Sequence, residues 1–70
     1  MTEKSEINIG DSFIKPEDPR TVWVVEQFVD LPGLPRHAEL KAKGYRNRKV
    51  LVAVSALMDR IFYRRVENHR

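Results

Sequence analysis

The sequence predicts a mostly β domain, a small, five-stranded and partly open barrel with one short helical turn before the last strand. Runs of β-branched and aromatic residues recur along the chain, and clusters of proline and glycine separate them. One further stretch, residues 36–43, alternates polar and apolar residues as a strand with one wet face does. Closing such strands into a barrel removes most of the exposed edges that an open sheet shows to its neighbours.

Size and composition limit the chain to one domain. It has 70 residues, of which 41% are hydrophobic and 33% charged, a balance typical of globular proteins. It contains no cysteine, so disulfides and thiolate metal sites are excluded. No segment suits a signal peptide or a membrane span, so a cytoplasmic protein is expected. We expect a loose tail over 1–9, the domain over 10–67 and a mobile end over 68–70.

The first strand is predicted at residues 12–15, directly after a turn signal at Gly10. Pro16 and Pro19 follow it closely. Two prolines at this spacing are incompatible with a regular ladder or a helix interior, so we expect a loop there.

Residues 21–30 predict a strong second strand, because most of them are β-branched or aromatic. Glu26 and Gln27 interrupt its apolar run, which indicates a bulge or the emergence of one face into solvent. Trp23 lies among valines, so a core position is favoured over a platform for a ligand. Either face of this strand can point inward.

A proline-glycine turn leads into the third strand. Pro32 and Gly33 suit a type II turn, because proline fixes the first torsion angle and glycine accepts a positive φ at the next. The alternation over 36–43 then favours a strand, although its alanine, leucine, lysine and glutamate also favour a helix. The apolar side of this strand consists of Ala38, Leu40 and Ala42.

The C-terminal part allows two interpretations. Residues 44–48 predict a turn and 49–55 a second strong strand, after which Ser55 is a candidate cap for a short helical turn. Residues 62–66 then predict a last strand, whose neighbours Phe62 and Tyr63 divide between core and surface. The second interpretation is one helix from 56 to 67.

The order of these elements resembles the SH3-like barrel families of small bacterial proteins, including the KOW and Tudor-like groups. The resemblance covers residues 10–66 and is carried by Gly10-Asp11, by Val22-Trp23-Val24-Val25, and by Val52-Ala53-Val54-Ser55-Ala56-Leu57 leading to Tyr63-Arg64-Arg65-Val66. It implies the fold and a general binding role, and no catalytic residue. The chain lacks the ligand groove of peptide-binding SH3 domains and a complete Tudor-type aromatic cage, so the resemblance implies neither ligand class.

Charge is divided unequally along the chain. Residues 1–35 carry three basic and seven acidic side chains, whereas residues 36–70 carry ten basic and three acidic ones. This polarity either gives the folded domain a two-faced surface or lets the two halves pair with each other.

The strongest candidate site is the basic turn before the fourth strand. It consists of Lys43, Tyr45, Arg46, Arg48 and Lys49. Arginine and lysine contact phosphate, and tyrosine stacks on unpaired bases, so the turn predicts weak, sequence-tolerant and salt-sensitive binding of nucleic acid. An ordinary solvated surface is the plainer interpretation. Arg60, Arg64 and Arg65 extend the site if the last strand lies nearby.

The alternative function is a protein-interaction module or a homodimerising domain. Leu31 and Leu34 lie in a proline-rich loop that either exposes apolar surface or folds back over the barrel.

Catalysis and metal binding are not favoured. The chain has no glycine-rich phosphate loop and no cofactor motif, and its serines have no adjacent base in the sequence. His37 and Glu39 share the predicted wet face, but a metal site needs further ligands, and His69 lies in the predicted mobile end. We therefore expect a non-enzymatic binding domain without metal or cofactor.

Overall fold

A computed structural model describes residues 6–66 as one open, five-stranded antiparallel sheet. The elements in chain order are β1 (Ser12–Lys15), β2 (Asp18–Val29), β3 (His37–Ala42), β4 (Lys49–Ala53), α1 (Val54–Leu57) and β5 (Arg64–Val66). The strands lie in the order β4-β3-β2-β1-β5, so β4 and β5 form the two edges. The predicted mostly β fold, with five strands and a short helical segment before the last one, is confirmed.

The connection between β1 and β2 is shorter than the sequence predicts. A two-residue turn at 16–17 joins them, because Lys15 already pairs with Asp18. Pro19, expected in a loop, therefore lies in β2. The prediction was wrong because the β1–β2 register is irregular at this point, and such an irregularity tolerates a residue that has no N–H for the ladder.

The predicted break in the second strand is a β-bulge. The β2–β3 register shifts between Val25 and Gln27, which makes Glu26 the extra residue on β2. Val25 is buried, and Phe28, only three positions later, packs against the core from the same side of the sheet. The bulge thus settles which side chains of β2 point inward.

The core lies on the inner face of the sheet and includes residues from every strand except the two edges. Its buried members are Ile7, Phe13, Trp23, Val25, Ala38, Leu40, Ala42, Leu57 and Tyr63. The three β3 residues among them are 0% exposed, which confirms the alternating strand and excludes a helix there. Because Ile7 packs into this core, the packed part of the chain begins before residue 10, within the predicted tail. Residues 1–5 and 67–70 of the predicted ends lie outside the described residues.

Of the two local features that the sequence predicts, the turn at Gly33 is present and the helix cap at Ser55 is not. The type II turn is confirmed, since Gly33 has a φ of 75° and Leu34 N–H donates to the Leu31 carbonyl at 3.1 Å. The cap is wrong, because α1 already begins at Val54 and Ser55 lies inside it; no side chain caps the helix. The single helix over 56–67 is also excluded, because β5 pairs with β1.

Candidate nucleic-acid interface

The β3–β4 hairpin presents the whole predicted contact set to solvent. Gly44 has a φ of 88°, which allows the tight reversal after β3. Three backbone hydrogen bonds hold the turn of the hairpin. Ala42 N–H donates to the Arg48 carbonyl at 2.9 Å, Tyr45 N–H to the Ala42 carbonyl at 3.1 Å, and Lys43 N–H to the Val22 carbonyl of β2 at 2.8 Å. The exposed residues are Lys43, Tyr45, Arg46, Arg48 and Lys49.

Arg48 lies between two aromatic rings. Its guanidinium carbon is 4.9 Å from the ring centroid of Tyr45 and 5.9 Å from that of Trp23. Both distances are within the range of a cation–π contact, so the rings restrict where this charge can lie. Tyr45 itself remains 48% exposed and keeps ring surface open to a ligand.

A second cation, Lys15, also contacts the ring of Trp23. Lys15 Nζ lies 5.8 Å from the ring centroid of Trp23 and 5.8 Å from that of Tyr63. Tyr45, Arg48, Trp23, Lys15 and Tyr63 thus form a chain of contacts in which aromatic and cationic side chains alternate, here called the cation–aromatic row. Trp23 and Tyr63 are core residues at 5% and 8% exposure, as the sequence predicts for Trp23.

The sequence reasoning missed Lys15 as a neighbour of the hairpin. Lys15 ends β1 beside the two-residue turn, and only the pairing of β1 and β3 on opposite sides of β2 brings it to the same ring as Arg48. The one local signal was the position of Lys15 directly before Pro16, at the end of a strand.

Within residues 6–66, most of the positive charge on the hairpin has no carboxylate at ion-pair distance. Lys49 Nζ lies 3.8 Å from Glu26 Oε1, and both side chains are exposed, so the attraction between them is weak. Among the described residues, no carboxylate lies within ion-pair distance of Lys43, Arg46 or Arg48. These three charges are therefore free for an anionic partner.

The two unequally charged halves of the chain also pair with each other elsewhere. Arg36 Nε lies 3.2 Å from Asp30 Oδ1, and Arg65 Nη1 lies 2.7 Å from Asp11 Oδ2. Each ion pair joins an acidic residue of 1–35 to a basic residue of 36–70. Arg65, in the edge strand β5, is therefore engaged by Asp11, and Arg60 and Arg64 are exposed.

Tyr63, at the far end of the cation–aromatic row, holds its hydroxyl proton more tightly than a free tyrosine does. Its burial raises the pKa of the hydroxyl above the ordinary value, and the negative charge of Glu17 raises it further. The ring of Tyr63 provides a π-face for Lys15.

Besides Ile9 and Leu51, exposed apolar side chains lie in two further segments. Leu31 and Leu34, in the loop after β2, are 39% and 57% exposed, so they do not cover the core. Between α1 and β5, Met58 is 50%, Ile61 76% and Phe62 56% exposed. The sequence pattern did not predict an apolar surface in this second segment.

The weaker candidates gain no support. Among the described residues, no three histidine, cysteine or carboxylate side chains are grouped closely enough for a metal ion. His37 Nδ1 donates to the Pro35 carbonyl at 2.8 Å, and His69 lies outside the described residues. Within residues 6–66, no helix is sufficiently long and apolar for a membrane span.

Comparison with known proteins identifies no relative. No protein family, no curated protein and no solved structure matches the chain. The resemblance to the SH3-like barrel families therefore stays a prediction, and the function proposed below depends on the geometry of the hairpin and its neighbours.

Proposed function

We propose that this protein is a non-enzymatic domain that binds nucleic acid through the β3–β4 hairpin. Its contact residues are Lys43, Tyr45, Arg46, Arg48 and Lys49. The observation that carries the proposal is the exposure of three cations that have no ion-pair partner within residues 6–66 and lie around a half-exposed tyrosine. A cytoplasmic location is the expectation that fits this role.

The hairpin suits phosphate binding because its backbone is fixed before a ligand arrives. Lys43 N–H and Ala42 N–H bond to β2 and to the far side of the hairpin, so the loop is part of the sheet. A cationic surface on a fixed backbone loses less conformational entropy on binding than one on a free loop. Such contacts position a phosphate backbone without reading its sequence.

The test is a salt-dependent titration with labelled single-stranded and duplex oligonucleotides of mixed sequence, followed by fluorescence anisotropy. We expect binding at about 50 mM salt that weakens strongly by about 200 mM, because phosphate contacts release counterions. Replacing both hairpin arginines, Arg46→Ala with Arg48→Ala, should weaken binding at least tenfold, since it removes about two phosphate contacts.

The matched control lies at the opposite end of β3. Arg36→Ala removes the same charge as either single hairpin variant but from a side chain that already pairs with Asp30. We expect Arg46→Ala to weaken binding and Arg36→Ala to leave it nearly unchanged. Absence of binding at low salt would contradict the proposal, and equal affinities for the double variant and the unmodified protein would remove the hairpin from the interface.

The exposed apolar segments favour a second function, protein interaction or homodimerisation. Leu34, Ile61 and Phe62 are each more than half exposed, and exposed apolar side chains that lie together can mark an interface. Sedimentation across a concentration series tests the homodimer. A mass that rises with concentration in the unmodified protein, but stays that of a monomer in the double variant Ile61→Ser with Phe62→Ser, would support homodimerisation. A strict monomer would leave only a different protein as the partner.

A further inference from the structure

The cation–aromatic row extends the proposed interface from the hairpin to the turn between β1 and β2. Successive members are separated by 4.9 Å, 5.9 Å, 5.8 Å and 5.8 Å, measured from each cation to the ring centroids on its two sides. Lys15 is partly exposed, and among the described residues it has no ion-pair partner. Two positive charges thus contact the ring of one buried tryptophan, and each is free to meet a phosphate.

The shape of the hairpin does not suit the major groove of a duplex. A two-stranded ribbon can enter that groove only if it projects from the rest of the protein. Here β2 runs beside the hairpin as far as the start of its turn, where the Val22 carbonyl accepts a hydrogen bond from Lys43 N–H, so the hairpin does not project as a free ribbon. The helix α1 has four residues, which is too short to serve as a recognition helix.

The chemistry of the row suits unpaired bases. Tyr45 offers ring surface at 48% exposure, and a base stacks on such a ring only when it is outside a duplex. Proteins that bind a single strand without sequence preference combine aromatic rings that stack bases with cations that track phosphates. Here Tyr45 is the accessible ring, and Arg48 and Lys15 are the cations.

We infer that the site takes single-stranded rather than duplex nucleic acid, and that the strand runs from Tyr45 past Arg48 to Lys15. This inference rests on the proposed function and adds to it the class of nucleic acid and a contact residue outside the hairpin. Arg48 and Lys15 bind successive phosphates, and Tyr45 stacks on a base. Trp23 lies beneath the strand as the ring that both cations contact.

Trp23 also provides a direct reporter, because it is the sole tryptophan of the chain. A strand that draws Arg48 or Lys15 towards its phosphates changes the surroundings of this indole. We expect the emission of Trp23 to change on addition of a single-stranded oligothymidine and to follow the same binding curve as the anisotropy of the labelled strand.

The decisive experiment compares two charge-removing variants on two oligonucleotides. An oligothymidine of about twelve nucleotides is within the site sizes of single-strand binders. It should bind about tenfold tighter than a duplex of equal length at the same salt. Lys15→Gln should lower the affinity for the single strand about fivefold and reduce its salt slope by about 0.7, the value for one lost phosphate contact. Lys15→Arg, which retains the charge, should bind like the unmodified protein.

Arg36→Gln is the matched control, because Arg36 also lies over an aromatic ring, that of Phe28 at 4.5 Å, but at the other end of β3. It should change neither the affinity nor the slope. Circular dichroism of each variant establishes that it is folded. Equal affinity for duplex and single strand, or a Lys15→Gln variant that behaves like Arg36→Gln, overturns the inference while the hairpin variants can still support nucleic-acid binding. Absence of all binding overturns both.

Discussion

Arg65 and Asp11 form the shortest ion pair in the described part of the chain, with Nη1 at 2.7 Å from Oδ2. The same guanidinium donates through Nη2 to the Glu6 carbonyl at 2.9 Å and lies 5.3 Å from the ring centroid of Phe13. Its side chain is 31% exposed and that of Asp11 26%, so water and salt reach the pair only in part. The pair therefore connects the last strand to the segment that precedes the first.

Loss of this pair should destabilise the fold measurably. Arg65→Met leaves an unbranched apolar side chain at this position but removes the ion pair and the hydrogen bond to Glu6, and we expect it to lower the free energy of unfolding by about 1–2 kcal/mol. Urea denaturation measures the change. Arg36→Met is the control, since its pair with Asp30 is 57% and 69% exposed and should be worth less than about 0.5 kcal/mol. Equal losses of unfolding free energy in the two variants would show that the Arg65 pair stabilises the fold no more than an exposed pair does.

Removal of the hairpin tyrosine should affect binding without affecting stability. Tyr45→Ala deletes the proposed stacking surface, and base–aromatic stacking of about 1–3 kcal/mol predicts a loss of about fivefold or more in affinity for oligothymidine. Its unfolding free energy should change by less than about 0.5 kcal/mol, because the side chain is exposed. Tyr45→Phe should bind normally, since the ring is retained. An unchanged affinity in Tyr45→Ala would mean that phosphate contacts alone hold the ligand.

Neutralising the bulge residue should strengthen binding. Glu26→Gln removes the carboxylate 3.8 Å from Lys49 and so frees that cation for phosphate. An exposed pair of roughly 0.5 kcal/mol corresponds to a gain of about twofold in affinity at low salt. Anisotropy titration checks this, with Asp30→Asn, which frees Arg36 at the far end of β3, as the control. A gain of equal size in both variants would indicate only the overall change in net charge.

Tyr63 should make stability fall at alkaline pH. Because its pKa is raised in the folded state, the folded protein holds this proton more tightly than the unfolded chain does. The resulting stability is fully present below the unfolded pKa of about 10 and is lost as pH rises through the folded pKa. Urea denaturation at several pH values up to about 11 should therefore show a steeper decline for the unmodified protein than for Tyr63→Phe. Parallel curves would contradict the assignment.

The sequence predicted the fold where one local rule decided the outcome. Leu40 and its alternating alanine neighbours required an inner face, Gly33 required a turn with positive φ, and Glu26 could not continue a buried run, so each of these predictions is confirmed. Pro19 was misplaced because its acceptability depends on an irregular register between two strands, which no single strand specifies. Ser55 was misplaced because α1 begins one residue before it, without a side-chain cap.

The candidate site was only partly predictable for a different reason. The hairpin residues are neighbours in sequence, and their exposure follows from the turn that Gly44 allows. Lys15 reaches both Trp23 and Tyr63 only through the pairing of β1 with both β2 and β5. Contacts of this kind depend on sheet order, which composition and periodicity do not contain.

The extra residue on β2 has a consequence for how this chain can vary. Val25 pairs with Leu40, Gln27 with Glu39 and Phe28 with Ala38, so the pairs on the two sides of Glu26 form one regular ladder if that residue is removed. Deleting Glu26 would therefore leave Phe28 towards the core and Gln27 towards water. In an evolving lineage this position should accept almost any amino acid, and its loss should straighten the strand without exchanging the two faces of the sheet.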